Sequence, residues 1–138
     1  MRSVLRGLRR RYDRVAFVGD SMGGSAALRY AQYADAVCAL APQVTDLAAD
    51  PHVGREDLHE DALRRHVEGP LLTSVERALR RRIPISVHFC AGHARDAAHV
   101  GALPPGVTPV PHAGDAHDVA ALLKADGVLD DVVRDVLL

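Results

Sequence analysis

The sequence predicts an α/β fold, a short parallel sheet of about four strands with flanking helices. Two observations carry this. Short apolar runs alternate along the chain with segments of helical pattern, the order that βαβ units produce. The core must also be mainly Val, Leu, Ala and Ile, because the 138 residues include 2 Phe, 3 Tyr and no Trp. That composition suits parallel strands covered on both faces. With 48% hydrophobic and 25% charged residues, the chain has the apolar content of one globular domain and is not expected to be disordered.

The elements follow in order. Val4, Leu5 and Leu8 at helical spacing among arginines make residues 2–12 an amphipathic helix. Arg14 to Gly19 (RVAFVG) reads as a buried strand, Met22 to Ala34 as a helix rich in small residues, and Ala36 to Ala41 as a second buried strand closed by Pro42. Residues 43–56 carry Asp, Pro and Gly and read as loop; Glu56 to Val67 and Ser74 to Arg82 read as helices. Ile83 to Ala91 (IPISVHFCA) is the third strand, and Asp96 to Leu103 can form a helix. Pro104, Pro105 and Gly106 force a turn before a weaker fourth strand, Val107 to Pro111, where Pro109 fits only an edge or an end. Asp118 to Ala125 and Leu129 to Leu138 read as helices, broken at Gly127.

A formal charge of −1 gives no overall pull toward nucleic acid or membrane. Arg2, Arg6, Arg9, Arg10, Arg11 and Arg14 crowd one segment, and Arg77, Arg80, Arg81 and Arg82 another. They read as solvated helix faces, with a phosphate or partner site as the sharper alternative. Aromatic residues for base stacking are nearly absent, which argues against nucleic acid. Cys38 and Cys90 sit in apolar runs and are expected as buried free thiols, in keeping with a reducing, cytoplasmic location. The arginine-rich start has no apolar run of signal length behind it, and Val15 to Val18 is too short to span a bilayer, so neither a secretion signal nor an anchor is expected.

The stretch that carries chemistry is Val18-Gly19-Asp20-Ser21-Met22-Gly23-Gly24. It contains G-x-S-x-G between an expected strand and an expected helix, the context of a nucleophile elbow. Such a turn lifts the Ser21 hydroxyl above the strand ends on strained backbone. Gly19 and Gly23, lacking a Cβ, are expected to remove the collisions that side chains would cause there. The Met22 N–H, at the helix start, can donate to an oxyanion. A phosphate-binding loop fits worse, since Ser25 and Ala26 follow Gly24 where Lys and Ser or Thr are needed, and the dinucleotide pattern is absent. A plain turn with Ser21 as helix N-cap is the bland alternative.

A serine nucleophile needs a base, and the base needs an orienting acid; in the chain order of this elbow the acid comes next and the histidine last. Asp96 follows the third strand and His117 follows the fourth, both in loops that would open on the elbow's edge of the sheet. His112 competes with His117 but stands at the strand end, too early to reach Ser21, and Asp115 competes with Asp96 but suits a surface or capping role. His93 and His99 read as exposed loop and helix residues. A metal site built from His93, Asp96, His99, His112, Asp115 and His117 is the third alternative, disfavoured because spacings such as H-E-x-x-H are missing; no metal and no organic cofactor are expected.

Four stretches together resemble the α/β-hydrolase superfamily: GDSMGGSAAL (Gly19 to Leu28), AVCALAPQ (Ala36 to Gln43), GHARD with HVGAL after it, and GDAHDVAALLKADG (Gly114 to Gly127). The resemblance covers nearly the whole chain but only about half of that family's fold, from elbow to histidine loop. It implies a serine esterase or thioesterase acting on a small-molecule acyl ester, with Ser21 as nucleophile, His117 as base, Asp96 as orienting acid and the Met22 amide in the oxyanion hole. The segment between Pro42 and Ile83 would form a modest cap. The family's elbow normally follows several strands, and its second oxyanion donor comes from an earlier loop. Residues 1–138 are therefore expected to form a single hydrolase-like domain, incomplete on its N-terminal side. Its first strand would offer an edge for self-association or a partner chain. A non-catalytic interaction module that keeps the half-fold is the alternative.

Overall fold

A computed structural model of the chain describes residues 1–45 and 67–138. They contain a four-stranded, all-parallel sheet and six α-helices, the α/β class expected. In chain order the elements are α1 (Arg2–Arg11), β1 (Ala16–Asp20), α2 (Met22–Arg29), β2 (Ala36–Leu40), α3 (Gly69–Arg80), β3 (Ile85–Cys90), α4 (Ala94–Gly101), β4 (Thr108–His112), α5 (Val119–Ala125) and α6 (Leu129–Leu137).

The strands stand side by side in the order β1-β2-β3-β4. β2 is buried along its whole length, as its unbroken AVCAL run requires. Alternate residues feed two cores. Val37, Ala39, Ile85 and Val87 meet Leu28 of α2 and Leu71, Val75 and Ala78 of α3 on one face. Cys38, Leu40 and Cys90 meet Val119, Leu123 and Val136 of α5 and α6 on the other. Both cysteines are free and buried. Among the described residues β1 pairs only with β2, so its outer edge is open.

Several boundaries differ from the sequence reading. The helix expected over Met22–Ala34 stops at Arg29; Tyr30 takes φ −111° and ψ 9°, and Ala31–Tyr33 form a 3-10 turn. The Gln32 N–H bonds to the Ser74 hydroxyl of α3 at 3.2 Å, so tertiary packing replaces the continuing helix. α3 begins at Gly69 rather than Ser74, because Pro70 occupies its first turn, where a missing N–H costs nothing. α3 packs on the sheet through Leu71, Val75 and Ala78, so this part of the expected cap is a flanking helix. The helix expected over Glu56–Val67 and the loop from residue 46 onward lie outside the described residues, Val67 excepted.

The arginines are in part structural. Arg9 makes an ion pair with Asp35 at 2.7 Å and donates to the Ala34 carbonyl, tying α1 to the turn before β2. Asp35 also accepts the Val15 amide at 2.9 Å, Arg14 bonds the Val136 carbonyl at 3.1 Å, and Arg81 bonds the Gln32 carbonyl at 2.6 Å. Among the described residues no helix is long and apolar enough to cross a membrane.

Candidate active site

β1 ends at Asp20 and α2 begins at Met22, leaving Ser21 alone in the corner. Its backbone has φ 50° and ψ −116°, and it is one of three described non-glycine residues with positive φ. Such a conformation costs on the order of 1–3 kcal/mol and persists only where neighbours over-determine it. Here they do. The Ser21 N–H bonds the Leu40 carbonyl at the end of β2 at 2.8 Å, and the Ser21 carbonyl accepts the Ser25 amide at 3.0 Å. A Cβ on Gly19 would overlap the Gly23 carbonyl, and one on Gly24 would come within 3.0 Å of the Leu40 carbonyl and 3.1 Å of the Gly19 carbonyl. The second glycine that sterics demand is therefore Gly24, not Gly23. A Cβ on Gly23 would meet nothing within 4 Å, because Gly23 faces the open side of β1.

Asp96 and His117 reach the same corner from the loops after β3 and β4. The His117 Nε2 lies 3.1 Å from the Ser21 hydroxyl, and its Nδ1 lies 2.9 and 3.0 Å from the two carboxylate oxygens of Asp96. A carboxylate only accepts, so Nδ1 carries the ring proton and Nε2 presents a lone pair that accepts from the Ser21 hydroxyl. Asp96 is 1% exposed and sits in the first turn of α4, where the helix N-terminus favours a negative charge. The His117 ring is 40% exposed and open to an incoming molecule.

The rival residues go elsewhere. His112 ends β4 in register with Cys90, and its Nε2 meets the Nδ1 of buried His88 at 3.0 Å, on the α5 and α6 side. Burial first, and then His112, pull the His88 imidazole down to about 4, so this pair is uncharged at neutral pH on the His88 side. Asp115 is exposed. His99, read from sequence as exposed, is 4% exposed, and its Nδ1 accepts from the Val44 and Thr45 amides at 3.4 Å. His93, read as an exposed loop residue, is the N-cap of α4; its Nδ1 accepts the Asp96 amide at 3.2 Å and lies 3.1 Å from the Asp96 carboxylate. Sequence reasoning missed this contact, though the His93-x-x-Asp96 spacing is that of an N-cap and the residue it caps. Asp20 adds a further carboxyl near the site, held above the usual range by partial burial and by Asp118.

The Met22 N–H, the first amide of α2, takes no backbone acceptor among the described residues. Beside His117 an open cleft of about 410 Å³ is lined by Gln43, His93, Arg95, Asp96 and His99. Together these groups supply a hydroxyl in line with an acceptor nitrogen, a carboxylate fixing that nitrogen's tautomer, an amide at a helix start and room for a small molecule. No family model, curated protein or solved structure matches the chain.

Proposed function

We propose that the chain is a serine hydrolase acting on a small-molecule carboxylic ester or thioester. The observation that carries this reading is the unbroken hydrogen-bonded series Ser21–His117–Asp96, ending on a serine held at φ 50°. Ser21 Oγ attacks the acyl carbonyl while His117 Nε2 takes its proton. The carbonyl oxygen becomes an oxyanion, and the Met22 N–H is placed to donate to it. The tetrahedral species then collapses; the bond to the alcohol or thiol breaks, and His117 returns the proton to that leaving group. Water, deprotonated by His117, releases the acid and restores the Ser21 hydroxyl. Asp96 holds the imidazole and stabilises its cationic form between these steps. The reaction needs no metal or organic cofactor. Kinship with the α/β-hydrolases belongs to this proposal, supported by the elbow motif and by the order of serine, acid and histidine along parallel strands.

The test is ester turnover by the unaltered chain against Ser21→Ala. Loss of the nucleophile should remove about 10⁴-fold or more of the rate, and unchanged hydrolysis would assign the activity to another group.

A second reading has its own observation. The outer edge of β1 is open among the described residues, and beside it runs a groove lined by Leu5, Phe17, Val18, Ala27 and Tyr30. An open parallel edge pairs readily with another chain. We therefore add that self-association or a partner chain at β1 completes the sheet. The Met22 N–H is the oxyanion donor this reading names among the described residues, and losing one such donor typically costs about 10²–10³-fold.

A further inference from the structure

The described residues hold one cluster that the hydrolase chemistry does not fully use. His93, Asp96 and His117 offer two imidazole nitrogens and a carboxylate oxygen, all within 4.8 Å of one another. The Asp96 carboxylate is the shared centre, 3.1 Å from His93 Nδ1 and 2.9 Å from His117 Nδ1. His117 Nδ1 faces it with a proton. His93 Nδ1 does not, because its lone pair accepts the Asp96 amide. With His93 neutral and accepting that amide, its nitrogen lone pair and a carboxylate oxygen stand 3.1 Å apart with no ring proton between them. The arrangement favours a cation in that gap.

We propose that His93, Asp96 and His117 bind one divalent transition-metal ion of the zinc type, and that the bound ion switches Ser21 off. Binding stands on the cluster alone; the switching rests on the hydrolase reading. Two imidazoles and one carboxylate suit a borderline cation such as zinc or cobalt, whose ligand atoms stand at about 2.0–2.2 Å from the metal and roughly 3.3 Å from each other. Calcium and magnesium demand six or more oxygen ligands and do not fit. Three protein ligands leave a fourth position, and the exposed edges of His93 and His117 open it to the cleft, where water can fill it. Two features keep the affinity below that of a structural zinc site: the N-terminus of α4 carries positive dipole, and His93 must give up its cap bond to the Asp96 amide.

The consequence for Ser21 follows from the two nitrogens of one ring. A neutral imidazole that ligates through Nδ1 carries its proton on Nε2. In the metal-free site that proton is on Nδ1 and Nε2 accepts from Ser21. With the ion bound, the proton has moved through solvent to Nε2, which now donates to Ser21 Oγ and cannot take its proton. The ion does not block the site. It holds the base in its inactive tautomer.

The binding test uses the full chain carrying Ser21→Ala, which keeps all three ligands and removes any dependence on activity. Titration with cobalt(II) should give visible absorption saturating at one ion per chain, displaced by zinc. His93→Ser keeps a side-chain cap for α4 but loses the imidazole, and it should weaken binding by about 10-fold or more. His112→Gln, in the separate histidine pair, should leave it unchanged. No cobalt spectrum, or a spectrum indifferent to His93→Ser, overturns the proposal. The switching test is fluorophosphonate labelling of the unaltered chain. Zinc should suppress labelling, a chelator should restore it, and His93→Ser should label equally with and without zinc. Cobalt binding with labelling insensitive to zinc refutes the switch alone. Absence of labelling under metal-free conditions refutes the hydrolase reading, while the cobalt spectrum still decides the metal site.

Discussion

Both carboxylate oxygens of Asp96 lie within 3.0 Å of His117 Nδ1, so the imidazole is held across the whole carboxylate rather than at one corner of it. Two nearly equal acceptors resist rotation of the ring in either direction. With Nδ1–H so fixed, the neutral ring presents its Nε2 lone pair 3.1 Å from Ser21 Oγ. The first consequence is tautomeric. Asp96→Asn would place an N–H beside Nδ1 and favour the proton on Nε2. Serine-directed labelling should then slow by about 10⁴-fold. The circular dichroism spectrum should stay unchanged, because the side chain keeps its shape and its buried position.

The elbow glycines give a prediction of opposite signs at adjacent residues. Gly19→Ala drives a Cβ into the Gly23 carbonyl and should cost about 3 kcal/mol or more; Gly24→Ala meets the Leu40 and Gly19 carbonyls at 3.0 and 3.1 Å and should cost about 1–3 kcal/mol. Gly23→Ala meets nothing within 4 Å and lies in α2, so it should be neutral or stabilise by up to about 1 kcal/mol. Urea unfolding of the three variants orders them.

Acid stability depends on His88. Its imidazole sits at about 4 in the folded chain, against 6.5 for an exposed histidine, because it is buried beside His112. Between those values the unfolded chain binds the proton and the folded chain does not. Stability is therefore full above pH 6.5 and is lost as pH falls through the window toward 4, by on the order of 2–3 kcal/mol. Asp20 acts in the opposite sense, since its raised carboxyl favours the folded chain on the acid side. His88→Leu removes only the first contribution, so its urea midpoint should change less than that of the unaltered chain between pH 6.5 and 4.

The edge of β1, open among the described residues, predicts association. Val18 is 40% exposed on that strand, beside the groove. Sedimentation of the unaltered chain should show concentration-dependent self-association, and Val18→Lys, placing a charge on the edge, should abolish it. A concentration-independent monomer would remove this part of the account.

The sheet and the Ser21 corner were readable because their signals are local, and the meeting of Asp96 and His117 with Ser21 followed from their chain order after the elbow. AVCAL is apolar at every position and short, the pattern of a strand buried on both faces, and G-x-S-x-G between strand and helix marks Ser21 by sterics. Most of what escaped the sequence depends on contacts between distant residues, the His93 cap three positions from Asp96 being the exception. The break after Arg29 arises where Ser74, 42 positions on, takes the Gln32 amide. Gly23 and Gly24 are indistinguishable in sequence; they separate only when β2 stands beside one and nothing stands beside the other. His93 and His99 looked exposed because histidine patterns with polar residues, yet one caps α4 against Asp96 and the other is buried under Val44 and Thr45.

The most direct measurement is the rate and site of fluorophosphonate labelling, read by mass spectrometry on metal-free protein. The account predicts one adduct, on Ser21, whose rate of formation falls by orders of magnitude in His117→Ala while the fold is retained. Equal labelling with and without His117, an adduct on another serine, or no adduct at all would contradict it.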